Sequence, residues 1–204
     1  MTSKISPHTS QRRLLRTATW RRWLALCGVI WSGTILSGWC SEPVSKEYQL
    51  KAAFLYNFTK FVEWPTNRFT TPDEPIIIGV LEGNPFGEEL AKAVQDRKHE
   101  GHPLVVTNLP TILGATNVHL LFVPRGQEEL FATHRVTLHA AGVLTVGESE
   151  TFARGDGIIT FTTEAAKIRF EINLVAAEPA GFKISSKLLQ LAKVVRSPNP
   201  PGAP

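Results

Sequence analysis

One pair of histidines has side chains that could bind a metal ion. His99 and His102 are separated by only two residues, which is not the spacing of a helical zinc motif. Gly101 and Pro103 instead favour a loop at this point. Three further histidines have no companion acid or nucleophile nearby in the sequence: His119, His134 and His139. We therefore expect His99 and His102 to be surface loop histidines, and no metal site.

A serine nucleophile beside a lysine is suggested by Ser185, Ser186 and Lys187. Adjacent residues on a helix point about 100° apart, so such a pair does not share a face. A helix start or a packing position explains these serines better. The sequence thus offers no catalytic residue set, and we expect a protein that is not an enzyme and carries no cofactor.

A glycine-rich turn could hold a ligand. Gly79, Gly83 and Gly87 lie between a strand and a helix, but their spacing matches neither the dinucleotide fingerprint nor a phosphate-binding loop. A plain strand-to-helix turn is the simpler interpretation. In an open α/β sheet, however, ligands bind at this carboxyl edge, so Gly83, Asn84 and Gly87 are a candidate ligand loop.

One short segment is unusually rich in aromatic residues. Phe54, Tyr56, Phe58, Phe61 and Trp64 fall within eleven residues. Most of this surface should be core, since aromatic side chains dominate core burial. Any part that stays exposed would favour contact with a protein partner.

Helices and strands must position these residues, and the patterns in the first two thirds of the chain predict them. Apolar residues recur every three or four positions over 45–62, which predicts a helix that ends before Trp64 and Pro65. A β-branched run over 75–81 predicts a strand covered on both faces, and 88–94 predicts a short helix. The alternation continues with buried strands at 104–107, 119–123 and 143–146 and a helix at 127–138.

The last third has a different pattern. Alternating residues over 158–162 and 168–172 predict an antiparallel hairpin. Ile184, Leu188, Leu191 and Val195 are spaced as one stripe of a closing helix. We therefore predict an α/β fold, a mostly parallel sheet flanked by helices, with a C-terminal antiparallel hairpin and a closing helix.

The first forty residues differ from the rest in charge. They contain six Lys or Arg and no acidic residue, and a run of fourteen mostly apolar residues spans 23–36. This pattern predicts an export signal, with an uncleaved membrane anchor or lipidation at Cys40 as alternatives. The predicted organisation is a leader at 1–40, one domain at 41–196 and a disordered proline-rich tail at 197–204.

Removing the leader changes the composition of the chain. The remaining 164 residues carry 16 Lys or Arg against 18 Asp or Glu, a net charge of −2. Bulk positive charge therefore does not recruit nucleic acid to this domain. Both cysteines lie at or before Cys40, so an intramolecular disulfide is excluded once the leader is cleaved.

Two blocks of sequence resemble the YfiR family of exported bacterial regulators. The first is the aromatic segment 51–65, and the second comprises 144–148, 152–153, 158–161, 168–173 and 181–192, in the order and spacing of that family. The resemblance implies a partner-binding or signature role for ten positions: Tyr56, Asn57, Phe58, Phe61, Glu63, Trp64, Pro65, Asn173, Ser185 and Ser186.

The resemblance also implies a function. Members of this family are periplasmic α/β domains, and the arrangement implied is a repressor that docks on the periplasmic sensor domain of an inner-membrane diguanylate cyclase. Release of the repressor raises cyclic-di-GMP and favours biofilm formation. A sensor kinase as the partner, a homodimer and a small-ligand sensor remain the alternatives.

Overall fold

The computed structural model describes residues 45–65 and 67–195. The predicted leader at 1–40 and the predicted tail at 197–204 lie outside the described residues. Within the described ranges, no helix has both the length and the apolar character needed to cross a membrane.

The described residues form short helices and strands in alternation. The helices are α1 (Lys46–Phe61), α2 (Glu89–Val94), α3 (Glu128–Ala140), α4 (Glu150–Arg154), α5 (Leu174–Ala177) and α6 (Ser186–Leu189), with a 3₁₀ helix at Ile112–Asn117. The strands are β1 (Val62–Glu63), β2 (Ile76–Leu81), β3 (Lys98–His99), β4 (His102–Leu109), β5 (Leu120–Val123), β6 (Leu144–Gly147), β7 (Ile159–Glu164), β8 (Lys167–Asn173), β9 (Lys183–Ile184) and β10 (Lys193–Val195).

Helix α1 confirms the helix predicted over 45–62. Ser45 begins it, because the serine hydroxyl oxygen accepts a hydrogen bond from the Tyr48 backbone N–H and satisfies one of the free donors of the first turn. Val62 ends it by adopting an extended conformation that leads into β1.

The main sheet has the strand order β10-β8-β7-β6-β5-β2-β4-β3. The pairs β4–β2, β2–β5, β5–β6, β6–β7 and β10–β8 are parallel. The pairs β3–β4 and β7–β8 are antiparallel. The prediction of a mostly parallel sheet flanked by helices is confirmed.

Helices cover both faces of this sheet, as the β-branched strands require. Leu120 and Phe122 of β5 belong to the core cluster under α1, whereas Leu121 and Val123 belong to a second cluster under α3. All four side chains are buried, because successive residues of a strand point to opposite faces. The sheet is therefore the middle layer of three.

The predicted hairpin is present as β7 and β8, joined by Ala165 and Ala166. Both alanines have positive φ, at 48° and 60°. Two-residue hairpin loops favour this geometry because its twist matches that of the strands. Glycine or asparagine is the usual residue there, so the alanines hold a strained turn.

The predicted closing helix is wrong in extent. Residues 184–195 form the end of β9, the single turn of α6 and then β10. Val194 and Val195 pair with Ile172 and Asn173 of β8 and cover the backbone of that strand. β-branched valines suit a strand, and Leu191 of the supposed apolar stripe is 67% exposed.

The prediction of a loop around His99 and His102 also needs correction. These residues are directly opposed partners of the β3–β4 hairpin. Glu100 and Gly101 make the turn with φ values of 53° and 93°. Strand β4 is longer than predicted and only partly buried, because it lies near the edge of the sheet with Val105 40% exposed.

Candidate functional site

A cavity of about 380 Å³ opens at the edge of the sheet where the parallel strands begin, and we call it the amino-edge cavity. Its apolar lining residues are Phe61, Val62, Trp64, Pro65, Phe69 and Ile76. Its polar lining residues are Lys60, Glu63, His99, Glu100, His102 and Ser185. The end of α1, strand β1, the β3–β4 hairpin and the start of β2 build the walls.

Five residues predicted from the sequence meet at this cavity: Phe61, Glu63, Trp64, Pro65 and Ser185. They come from sequence blocks about 120 residues apart. Strand β1 joins the blocks by pairing with β9, and the Ser185 N–H donates to the Phe61 carbonyl at 2.9 Å. Residues from both blocks that carry the resemblance therefore meet at one surface.

Trp64 is held in place by its indole nitrogen. Its Nε1–H donates to the His119 carbonyl at 3.3 Å. The indole ring meets the rings of Phe69 and His119 edge to face, each at 6.4 Å between centroids. This arrangement satisfies the buried donor and fixes a half-buried ring as a wall of the cavity.

Phe69 is sandwiched between two histidines beside the cavity. Its ring stacks on His102 at 4.2 Å and on His119 at 4.7 Å between centroids. The Nδ1 of His102 lies 2.7 Å from the Glu74 carbonyl oxygen. A carbonyl oxygen can only accept, so Nδ1 carries the proton and Nε2 of the neutral ring is an acceptor.

His119 is a structural residue, with 1% of its surface exposed. Its Nδ1 accepts a hydrogen bond from the Ile77 backbone N–H at 3.1 Å, which leaves the proton on Nε2. Within the described residues, Nε2 has no hydrogen-bond partner of acceptable geometry. Burial, followed by the Arg68 charge, lowers the pKa of His119 to about 4, so this ring is neutral at pH 7.

Arg68 fastens the segment after Pro65 to the rest of the domain. Its Nη1 donates to the Thr116 carbonyl at 3.2 Å and its Nη2 donates to the Val118 carbonyl at 2.5 Å. These carbonyls lie at the end of the 3₁₀ helix, where free acceptors attract a cation. Burial lowers the pKa of Arg68. The segment that follows the cavity wall is thereby tied to the chain just before β5.

Phe58 does not belong to a partner surface. It is completely buried and packs against Phe161 and Phe170 of the hairpin, at 5.7 Å and 5.1 Å between ring centroids. Its position on α1 faces the sheet, so Phe58 is a core residue here, and its role as a partner contact or family-signature residue stays a prediction. The half-buried Tyr56 ring instead lies 5.3 Å from the Lys60 ammonium.

The remaining predicted residues lie outside the cavity. Asn57 is half-buried on α1. The Asn173 side chain caps α5 by accepting a hydrogen bond from the Ala176 N–H at 3.2 Å. Ser185 caps α6 as well as lining the cavity, and Ser186 is the exposed first residue of that helix. These capping contacts account for the polar residues at Asn173 and Ser185 without any chemistry.

The candidate ligand loop lies at the opposite edge of the sheet. Gly83 and Gly87 have positive φ, at 65° and 54°, which is why glycine suits both turns. Asn84 uses its side chain within the loop, since Oδ1 accepts from the Phe86 N–H at 2.9 Å and Nδ2 donates to the Gly87 carbonyl at 3.2 Å. Both polar atoms of the Asn84 side chain therefore bond backbone groups of the turn itself.

The protein's own side chains occupy this carboxyl edge. Glu148 follows β6 and accepts hydrogen bonds from the Tyr48 hydroxyl at 3.0 Å and from the Lys51 ammonium. Lys51 is 2% exposed and Glu148 is 4% exposed. Burial, followed by the Glu148 charge, raises the pKa of Tyr48 to about 12. The crevice that usually binds a ligand in such sheets is filled from α1.

Sequence reasoning missed the cavity and this buried ion pair. Lys51 and Glu148 both stand inside the resembling blocks, which was the available signal for them. Phe69 carries no local signal, and the sequence marked His99 and His102 only as a possible metal pair. The β3–β4 register and the path of the chain after Pro65 bring these three residues to the cavity. Among the described residues, no group of three or more His, Cys, Asp or Glu side chains could hold a metal ion.

The fold is similar to a solved structure, a conserved domain protein from Vibrio cholerae O1 biovar El Tor strain N16961. The TM-score is 0.50 and the identity 13%, with 73% of this chain and 60% of that chain covered. The chain thus spans less than two thirds of that protein, and the likeness concerns the fold alone. No curated protein matches this chain.

A family model gives the more specific result. The model described as YfiR/HmsC-like matches residues 48–193. The match covers most of α1, the main sheet as far as the first residue of β10, and both sequence blocks that carry the resemblance. The chain therefore belongs to the YfiR/HmsC-like family.

Proposed function

We propose that this protein is a non-enzymatic periplasmic regulator that binds the periplasmic sensor domain of an inner-membrane signalling protein. The partner proposed is a diguanylate cyclase, which the bound protein represses. Loss of the complex then raises cyclic-di-GMP and favours biofilm formation. Family membership supports a periplasmic regulatory role in this signalling system.

One observation carries the proposal. Strands β1 and β9 bring the two blocks that resemble the family together at one surface. Exposed charges, with the side chains of Glu63 77% and Lys183 84% exposed, surround half-buried Phe61 and Trp64 on this surface. A polar rim around aromatic anchors is the usual composition of a protein interface.

The polar groups near this surface favour a binding role over a catalytic one. The Ser185 hydroxyl oxygen accepts the Lys187 N–H at 3.2 Å and serves as a helix cap. His119 has its Nδ1 committed to the Ile77 N–H. A serine hydrolase needs a histidine base hydrogen-bonded to its nucleophile, and among the described residues no serine hydroxyl forms a hydrogen bond with a histidine ring.

A charge reversal tests the interface. Glu63→Arg changes an exposed residue of β1, whereas Glu129→Arg makes the same change on α3 at the opposite edge of the sheet. Each protein is used to capture partners from inner membranes, and cyclic-di-GMP is measured in a deletion strain that expresses the same variant.

We expect the deletion strain to have raised cyclic-di-GMP, which the unchanged protein and Glu129→Arg restore and Glu63→Arg does not. The captured membrane protein should contain a cyclase domain. Unchanged cyclic-di-GMP on deletion would refute the proposal. Capture of a sensor kinase instead of a cyclase would retain the binding role and replace the partner.

A further inference from the structure

The amino-edge cavity has the size and lining of a small-molecule site. Its volume of about 380 Å³ lies within the range of natural ligand pockets, and aromatic side chains with Ile76 form its apolar side. Phe69 presents its edge to the cavity, because both of its faces are stacked on histidines. Such walls favour a ligand with a flat or ring-shaped apolar face.

Two polar residues of the lining, His102 and Ser185, have opposite hydrogen-bonding capacity. His102 Nε2 is an acceptor, since Nδ1 donates to the Glu74 carbonyl. The Ser185 hydroxyl oxygen already accepts from the Lys187 N–H, so its own hydrogen is available to an acceptor. A complementary ligand therefore carries a donor and an acceptor at separate positions.

The charges around the cavity offset each other. Glu63 lies 4.0 Å from the Lys183 ammonium across the β1–β9 pair. The remaining charged residues of the lining, Lys60 and Glu100, have opposite signs. A charged ligand would lose hydration without a matching fixed charge, which costs free energy. The lining thus favours an uncharged ligand.

We propose that the amino-edge cavity binds an uncharged, hydroxyl-bearing ring compound of the saccharide class. The apolar face of the ring packs on the aromatic wall, one hydroxyl donates to His102 Nε2, and another oxygen accepts from the Ser185 hydroxyl. The ligand occupies the cavity bordered by the proposed partner surface, but its binding does not depend on the partner.

Three related sugars of different charge test whether the cavity prefers an uncharged ligand. Binding to the purified full chain is measured by isothermal titration calorimetry with N-acetylglucosamine, which is neutral, glucosamine, which is cationic, and N-acetylmuramic acid, which is anionic. We expect saturable binding of the neutral sugar and at least about tenfold weaker binding of both charged sugars. No saturable heat with the neutral sugar, or equal binding of all three, would overturn the proposal.

A pair of histidine variants locates the site. His102→Phe keeps an aromatic ring next to Phe69 but removes the Nε2 acceptor, and His134→Phe makes the same change on α3. We expect about three- to tenfold weaker sugar binding for His102→Phe and unchanged binding for His134→Phe, with native circular dichroism for both. Equal affinities in folded variants would place the sugar elsewhere and refute this site.

The two proposals can fail separately. Sugar binding is measured on the purified protein, whereas partner capture is measured in membranes. Loss of the sugar signal with intact capture rejects only the ligand, and the reverse result rejects only the partner.

Discussion

At the scale of single residues, Glu148 and Lys51 are the most constrained charges described. The carboxylate is buried and receives the Tyr48 hydroxyl, the Lys51 ammonium and, at 3.4 Å, the Arg125 N–H. Lys51 also contacts Glu47 one turn earlier on α1. A buried ion pair adds little net stability, but removing one partner leaves a desolvated charge behind.

Lys51→Met should therefore destabilise the protein by about 3–5 kcal/mol, because Glu148 stays buried without its cation. Urea unfolding at pH 7 measures the change. The double variant Lys51→Met with Glu148→Leu should recover most of the loss. Lys193→Met, in the more exposed pair with Glu171, serves as the control and should cost less than about 1 kcal/mol. Equal losses for the two lysines would contradict this account.

His119 should make stability depend on pH. Its folded pKa of about 4 lies below the ordinary value of 6.5, so the unfolded chain takes up the proton first. Its contribution is complete above pH 6.5 and is lost as the pH falls to about 4, by about 3 kcal/mol. Burial also lowers the pKa of His139, which acts in the same direction.

The His119→Asn variant provides the comparison. Its side-chain oxygen can accept the Ile77 N–H but does not titrate. The free energy of unfolding, measured by urea between pH 7 and pH 4, should fall less steeply for this variant than for the unchanged protein. The same slope in both proteins would rule out His119 as a source of the acid sensitivity.

At the scale of elements, local chemistry accounts for what the sequence predicted well. Ser45 caps α1, and the apolar run of β2 makes a buried strand. The prediction of a closing helix was wrong because four apolar residues at this spacing fit more than one structure. They also fit a segment made of a strand end, one helical turn and a second strand. The pairing of Val194 with β8 decided the outcome, and that pairing is not local.

The hairpin turn offers a prediction at this scale. Replacing Ala165 and Ala166 by Asn and Gly should stabilise the protein by about 1–2 kcal/mol, since both residues have positive φ. Ala91→Gly on the exposed face of α2 is the control and should destabilise by about 0.5–1 kcal/mol. Thermal and urea unfolding compare the three proteins. Destabilisation by the new turn would show that the alanines are not strained.

At the scale of the whole molecule, the fold class was predictable and the cavity was not. Alternating strands and helices specify a layered α/β sheet. The cavity depends on the β1–β9 pairing, which brings Glu63 opposite Lys183, and on the β3–β4 hairpin. Glu63 and Lys183 both lie in the sequence blocks that resemble the family, but the sequence does not show that they pair.

Hydrogen exchange should show that the middle strands of the sheet open less often than its edge strands. The amides of β2, β5 and β6 lie in the middle of the sheet with buried side chains and should exchange only by global unfolding. The amides of the edge strand β10 and of β1 should exchange faster. Nuclear magnetic resonance measures each rate. Protection in β10 equal to that in β5 would contradict this order.

Trp64 gives the molecule an optical property of its own. It is the only tryptophan after residue 40, and its indole ring meets the His119 ring while lining the cavity. In a form of the protein that begins after the leader, all tryptophan fluorescence therefore comes from this wall. Occupation of the cavity, docking over its rim and protonation of the neighbouring imidazole would each alter the emission of a single, native reporter.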